Sequence, residues 1–250
     1  MPSLLRLTWL EVKIFVREPM GLVGSVALPL IAFIGLTQVR ANRLPRRLTL
    51  PGTGLFDVAF VPVLASMLIV VSTCISLVTI VSVYREGGIL KRLRATPLRP
   101  FTILSAHVLT KLLFTLFTVL LLVSAGRRYY PADASFPVAD FIVALLLSTW
   151  SVLSIGFLIA SVAPSTRVAQ PVAAVILYPM LGLSGLFVPV STYPERVATV
   201  IRPLPMTHAV SLLTGIWHGE AWGAHASDIL ALVIAFAVCT LLSAVLFRWE

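Results

Sequence analysis

The chain has 250 residues, 58% of them hydrophobic and 12% charged, with a mean hydropathy of +1.00. A water-soluble domain of this length needs far more surface charge, so the composition excludes one and points to a polytopic membrane protein. The net charge of +9 gathers at the ends of apolar runs, which suits anionic lipid headgroups and not nucleic acid.

Residues 3–18 come first. On a helical wheel Arg6, Lys13 and Arg17 fall within about 40° of one another, beside an apolar face of Leu5, Trp9, Val12 and Val16. This pattern predicts a basic amphipathic helix lying on the membrane surface, either as a topology anchor or as a docking element for a partner. Charge continues to Glu18 and no small-x-small site follows the first apolar run, so a cleaved signal peptide is not expected.

A helix crossing a hydrocarbon core of about 30 Å needs about 20 apolar residues. On that ruler the fold class is all-α with six transmembrane helices, near 20–39, 58–83, 101–126, 141–163, 169–188 and 228–247. The third span must take in His107 and Lys111, because Leu112 to Gly126 is uncharged but too short alone. A charge at the bilayer centre costs about 2.5–3.5 kcal/mol on insertion scales, so Lys111 needs a partner, a polar pathway to line, or a route back to the headgroups. His107 lies one turn earlier on the same face. The fifth span reads as broken by Pro171, Pro179 and Pro189. The apolar stretch Pro203 to Gly219 is short and holds two prolines and two histidines. It reads as part of an outer re-entrant helical region, 189–224, and not as a seventh span.

Six spans put both termini on one side. With the termini inside, the inner face carries ten Lys and Arg and the outer face eight, including Arg40, Arg43, Arg46 and Arg47. The margin is narrow and favours cytoplasmic termini. Cys74 and Cys239 fall inside apolar runs and read as free thiols. The four histidines, His107, His208, His218 and His225, show no ligand spacing, so no metal site is expected.

Between the second and third spans lies Val83 to Pro100, VYREGGILKRLRATPLRP, the most basic run of the chain. Gly87 and Gly88 let the chain turn sharply as it leaves the span. Glu86 stands where a short helix would begin and favours its start. Ile89, Leu90 and Leu93 share one side of that helix, and Lys91, Arg92 and Arg94 the other. Thr96 precedes Pro97, which ends it. An apolar ridge with a charged flank fits a groove on another protein, or a basic loop resting on headgroups. The chain has no G-x-x-x-x-G-K-[ST] loop, so any ATP that drives it is bound elsewhere.

The pattern Y-R-E-G-G-x-L-K-R-L-R-A-T-P-L resembles the cytoplasmic loop of ABC-2 type permeases, the membrane subunits of a class of ABC exporters. Gly185 to Pro194 (GLFVPVSTYP) and Arg202 to Val210 (RPLPMTHAV) resemble two further segments of that family. The resemblance implies a permease in a bacterial inner membrane that moves a drug, lipid or lipid-linked metabolite outward. It implies that residues 84–100 couple to a separate ABC ATPase, which holds the ATP and Mg, and that this chain binds no cofactor itself. It implies a second permease chain, identical or homologous, and an outer lid with Phe187, Pro189, Pro194, Pro205 and His208. The basic outer loop from Arg40 to Arg47 departs from the family pattern. Two rival readings exist. Gly182-Leu183-Ser184-Gly185 matches the G-x-S-G of rhomboid-like intramembrane serine proteases, with His225 as base. The other is a non-transporting membrane scaffold.

Overall fold

The computed structural model describes residues 2–17, 23–27, 29–31, 33–35, 60–86, 100–129, 137–163 and 165–246. Most of the first expected span and all of the basic loop 40–47 lie outside the described residues. So does the coupling segment from Gly87 to Arg99.

Among the described residues the regular structure is entirely helical. In chain order the α-helices are α1 (Pro2–Arg17), α2 (Phe60–Glu86), α3 (Pro100–Tyr129), α4 (Val138–Val162), α5 (Thr166–Leu183), α6 (Glu195–Ile201), α7 (Pro205–Trp217) and α8 (Ala226–Leu246). A π-helical turn covers Val23–Ala27, and 3-10 turns cover Val190–Thr192 and Trp222–His225. Three stretches are long and apolar enough to cross a membrane among the described residues: Val63–Val83, Val138–Val162 and Trp222–Leu246. Shorter apolar helices run over Ala106–Leu122 and Arg167–Leu183.

Helix α4 is the hub, packing against α2, α3, α5, α7 and α8. Met67, Ile69, Val70, Leu77 and Val78 of α2 meet Phe141, Leu145, Val152 and Leu153 of α4 in a continuous apolar core. The two helices approach so closely at Gly156 that an added Cβ would stand 2.7 Å from Cys74 Sγ. Small residues at a helix crossing serve this purpose in membranes, where tight packing replaces the hydrophobic drive. Helix α8 is different: it is apolar, yet Leu230, Ile234, Val238, Leu241 and Val245 all remain exposed. Such a surface would be untenable in water and is the surface lipid solvates. Family-independent features thus agree on a multi-pass membrane protein.

Several polar side chains inside the helices are satisfied locally. Thr110 Oγ1 donates to Ala106 O at 2.8 Å, Ser148 Oγ to Ala144 O at 2.8 Å and Thr149 Oγ1 to Leu145 O at 2.7 Å. Returning the hydroxyl to the preceding turn is what hydrocarbon surroundings demand.

Cross-helix bonds fix the relative directions. Thr73 pairs with Thr115 and Ser76 with Lys111, so α2 and α3 are antiparallel. Cys74 meets Val152 while Val78 meets Gly156, so α2 and α4 are parallel. Trp222 Nε1 donates to Asp140 Oδ1 at 2.9 Å and, further along, Ser151 Oγ donates to Leu232 O at 2.9 Å. Helix α8 therefore runs parallel to α4.

One expectation is corrected. The fifth helix is not broken at Pro171 or Pro179; α5 is continuous from Thr166 to Leu183 and contains both. Pro171 lies in its second turn, so little helix precedes the lost hydrogen bond, and neighbouring helices hold the rest. The chain leaves the helix at Ser184, and Gly185, with φ of +90°, makes the turn that a side-chain-bearing residue resists.

Candidate functional site

Of the predicted coupling residues, Glu86 is exposed at the end of α2. Gly87, Gly88, Ile89, Leu90, Lys91, Arg92, Leu93, Arg94, Thr96 and Pro97 lie outside the described residues. The described residues that flank this segment in the chain are the end of α2 and the start of α3, and helix α1 packs against α3.

Helix α1 presents three faces. Arg6, Lys13 and Arg17 are exposed, as expected of a basic stripe. Leu5, Trp9 and Val16 are also exposed, Trp9 by 71%, an apolar strip beside the basic one. The third face is buried: Thr8 and Phe15 turn inward and pack on α3. The Phe15 ring lies 4.4 Å from that of Phe114. Glu11 Oε2 stands 3.1 Å from His107 Nδ1. Lys111 Nζ donates to Ser76 Oγ at 2.7 Å and sits 3.7 Å from the centre of the Phe15 ring.

His107 and Lys111 are thus brought together, each 3% exposed, and joined to α1 and α2. The buried charge of Lys111 meets a hydroxyl from α2 and the face of an aromatic ring from α1. A desolvated cation over a ring is stabilised by about 2 kcal/mol. The sequence pointed to these two residues, but not to Glu11, Phe15 or Ser76. A 3.6-residue spacing of Leu4, Thr8, Glu11 and Phe15 was the available signal, masked by the two stronger faces beside it.

The second polar constellation lies where α7 meets α8. Asp228, in the first turn of α8, is buried and accepts three hydrogen bonds. His208 Nδ1 reaches its Oδ1 at 2.7 Å, while Ser211 Oγ and His225 Nδ1 both reach Oδ2 at 2.9 Å. The other ring nitrogen of His225, Nε2, stands 3.0 Å from Glu220 Oε2. His225 is held against α7 because position 215 is glycine; a Cβ there would overlap the imidazole ring. These groups line a cavity of about 760 Å³ together with Ser184, Arg202, Thr207 and Thr214. Arg202 is paired with Glu195 at 3.2 Å.

Of the expected lid residues, His208 enters this cluster and Pro205 opens α7 as its first residue, where a missing N–H costs nothing. Phe187 packs half-buried against the core. Pro189 and Pro194 stand as the residues before the Val190–Thr192 turn and α6. The protease arrangement does not form. Ser184 Oγ donates to Leu181 O at 2.6 Å, and both nitrogens of His225 are directed to carboxylates. A nucleophilic serine needs its proton directed to the base. Among the described residues no group of three or more His, Cys, Asp or Glu side chains is arranged to hold a metal ion.

The family described as the ABC-2 type transporter matches residues 2–217. The chain is 29% identical over 140 residues to the inner membrane transport permease YhhJ of Escherichia coli (strain K12), covering 55% of this chain and 37% of that protein. YhhJ of Shigella flexneri gives the same figures. The chain therefore matches little more than a third of the length of these relatives. It is 27% identical over 224 residues to the daunorubicin resistance ABC transporter permease protein DrrB1 of Streptomyces coeruleorubidus, covering 85% of this chain and 74% of that protein. The family match runs from α1 to the end of α7, and on that extent the chain belongs to the ABC-2 type transporter family.

Proposed function

We propose that the chain is the membrane-spanning permease subunit of an ATP-driven exporter in a bacterial inner membrane. The family match over residues 2–217 carries this reading. The cargo is amphipathic or hydrophobic: a drug, a lipid or a lipid-linked metabolite. The name of DrrB1, which ties that relative to daunorubicin resistance, supports such a cargo.

In this reading six spans cross the membrane and both termini are cytoplasmic. The parallel course of α2, α4 and α8, with α3 reversed, supports it. If α7 were a full crossing in addition to α5, α8 would run against α4. The α6–α7 pair is then a re-entrant lid on the outer side, and α1 an interfacial helix.

A separate ABC ATPase supplies the energy, since no P-loop occurs in this sequence. Two permease chains face each other, and closure of two ATPase subunits on ATP pushes the coupling segment 84–100. Leu90 and Leu93 pack in a groove of the ATPase, while Glu86, Lys91, Arg92 and Arg94 pair with its charges. The push reaches α2 and α3 as a near-rigid movement and alternates access to the cargo path. Because α1 is fastened to the start of α3 through Phe15, Glu11 and Lys111, it moves with the same unit.

Leu93→Asp tests the coupling. A carboxylate in an apolar groove removes docking without touching the spans. In proteoliposomes carrying the ATPase, the variant should keep basal ATP hydrolysis and lose cargo transport by at least about tenfold, the factor given by 1.4 kcal/mol of lost contact. Transport at the wild-type rate would rule out the docking role.

A further inference from the structure

His225 is placed unusually for a histidine, with one carboxylate oxygen on each ring nitrogen. Asp228 Oδ2 lies 2.9 Å from Nδ1 and Glu220 Oε2 lies 3.0 Å from Nε2. An ionised carboxylate only accepts hydrogen bonds, and a neutral imidazole has one N–H to donate. Both contacts are therefore made together only when the site holds one more proton than neutral imidazole and two carboxylates would carry. His208 differs. Its Nδ1 alone faces Asp228, at 2.7 Å, so its neutral form keeps that bond. Asp228 is held further by Ser211.

The contacts join three parts of the fold. His208 and Ser211 belong to α7, Asp228 to α8, and Glu220 and His225 to the connection between them. Glu220 is the exposed member, with its side chain 55% accessible, whereas His225 and Asp228 are buried. Among the described residues, other charged and titratable groups nearby are engaged elsewhere. On α6, Arg202, which lines the same cavity, pairs with Glu195. On α4, Asp140 accepts from Trp222. His218 Nδ1 is 2.8 Å from Thr214 O.

We propose that His225 is a proton-binding site that latches the α7–α8 connection shut: the bound proton lets the imidazolium bridge Asp228 and Glu220, and its loss frees Glu220. With the proton bound, the connection 218–225 is clamped at both ends. When the proton leaves, the remaining N–H stays with the buried Asp228, and the exposed carboxylate of Glu220 turns to water. The cavity beside Ser184 and Thr207 then opens at its Glu220 wall. Glu220, His225 and Asp228 lie beyond residue 217, where the family match ends, whereas His208 and Ser211 lie within it.

The test uses the full chain in lipid nanodiscs, with neither ATP nor cargo, so its outcome is separate from that of the transport reading. Backbone hydrogen exchange of residues 218–225 is measured at about pH 6 and about pH 8.5, on either side of the ordinary histidine range, and corrected for the intrinsic rate. The wild-type segment should exchange about tenfold faster at the higher pH, the effect of losing one charge-assisted hydrogen bond. In Glu220→Gln, an exposed substitution that keeps an acceptor but removes the charge, the ratio should fall to about one. A wild-type ratio of about one overturns the proposal, and so does a variant that retains the wild-type ratio.

Discussion

Asp228 is the residue on which the α7–α8 junction depends. Three donors converge on one buried carboxylate. Asp228→Asn places an amide N–H₂ where one oxygen accepted and leaves at least one donor unsatisfied. A buried unsatisfied donor costs about 1–3 kcal/mol, and the chain should lose that much stability in thermal unfolding in lipid nanodiscs. An unchanged midpoint would mean the three bonds are replaced by water. Gly215 makes the complementary case. Gly215→Ala puts a methyl group into the His225 ring, and overpacking of this kind costs about 1–3 kcal/mol. The variant should unfold at a lower temperature than wild type, and equal stability would show that the ring has another place to go. Neither residue was legible in the sequence as part of a site. Asp228 stands at a helix start, where an acid is ordinary, and a Gly within an apolar helix carries no sign of what approaches it. His208 lies 20 positions from Asp228, so only the fold brings them together.

At the scale of elements, the basic stripe of α1 was readable because Arg6, Lys13 and Arg17 recur at helical spacing in a chain poor in charge. Its buried face was not readable, since Glu11 and Phe15 acquire meaning only beside His107, Lys111 and Phe114. The apolar runs gave the helices because hydrocarbon leaves the backbone no other way to satisfy its hydrogen bonds. The prolines of α5 misled for the same reason, as a helix surrounded by other helices tolerates a lost bond that would end it in water. Phe15→Ala removes the ring that covers Lys111 and packs on Phe114. Truncating a buried Phe costs about 3–5 kcal/mol where the site cannot collapse. Most of that loss should fall on the α1–α3 contact, so residues 2–17 should become cleavable by protease at rates at least tenfold above wild type while α4 and α8 stay protected. Equal cleavage would show that α1 is held by the membrane and not by α3.

For the whole molecule, the composition already excluded a soluble domain, and with no P-loop in the sequence any ATP that drives the chain is bound elsewhere. The motif from Tyr84 to Leu98 pointed by resemblance to a family and, within it, to a proposed coupling segment; the match over residues 2–217 bears out the family. What the sequence could not supply is the arrangement around that segment: a parallel α2, α4 and α8, a reversed α3, and α1 bound to α3 by a buried polar cluster. These depend on contacts between residues 35 to 96 positions apart, which no local pattern encodes. The central claim is that this chain works as the permease of an ABC exporter. It is tested most directly by purifying the tagged chain from its native membranes in mild detergent and identifying what accompanies it. The account predicts an ABC ATPase subunit in about equal number, retained by wild type and lost with Leu93→Asp. A chain that purifies with no ATPase, or holds it equally in both forms, contradicts the account.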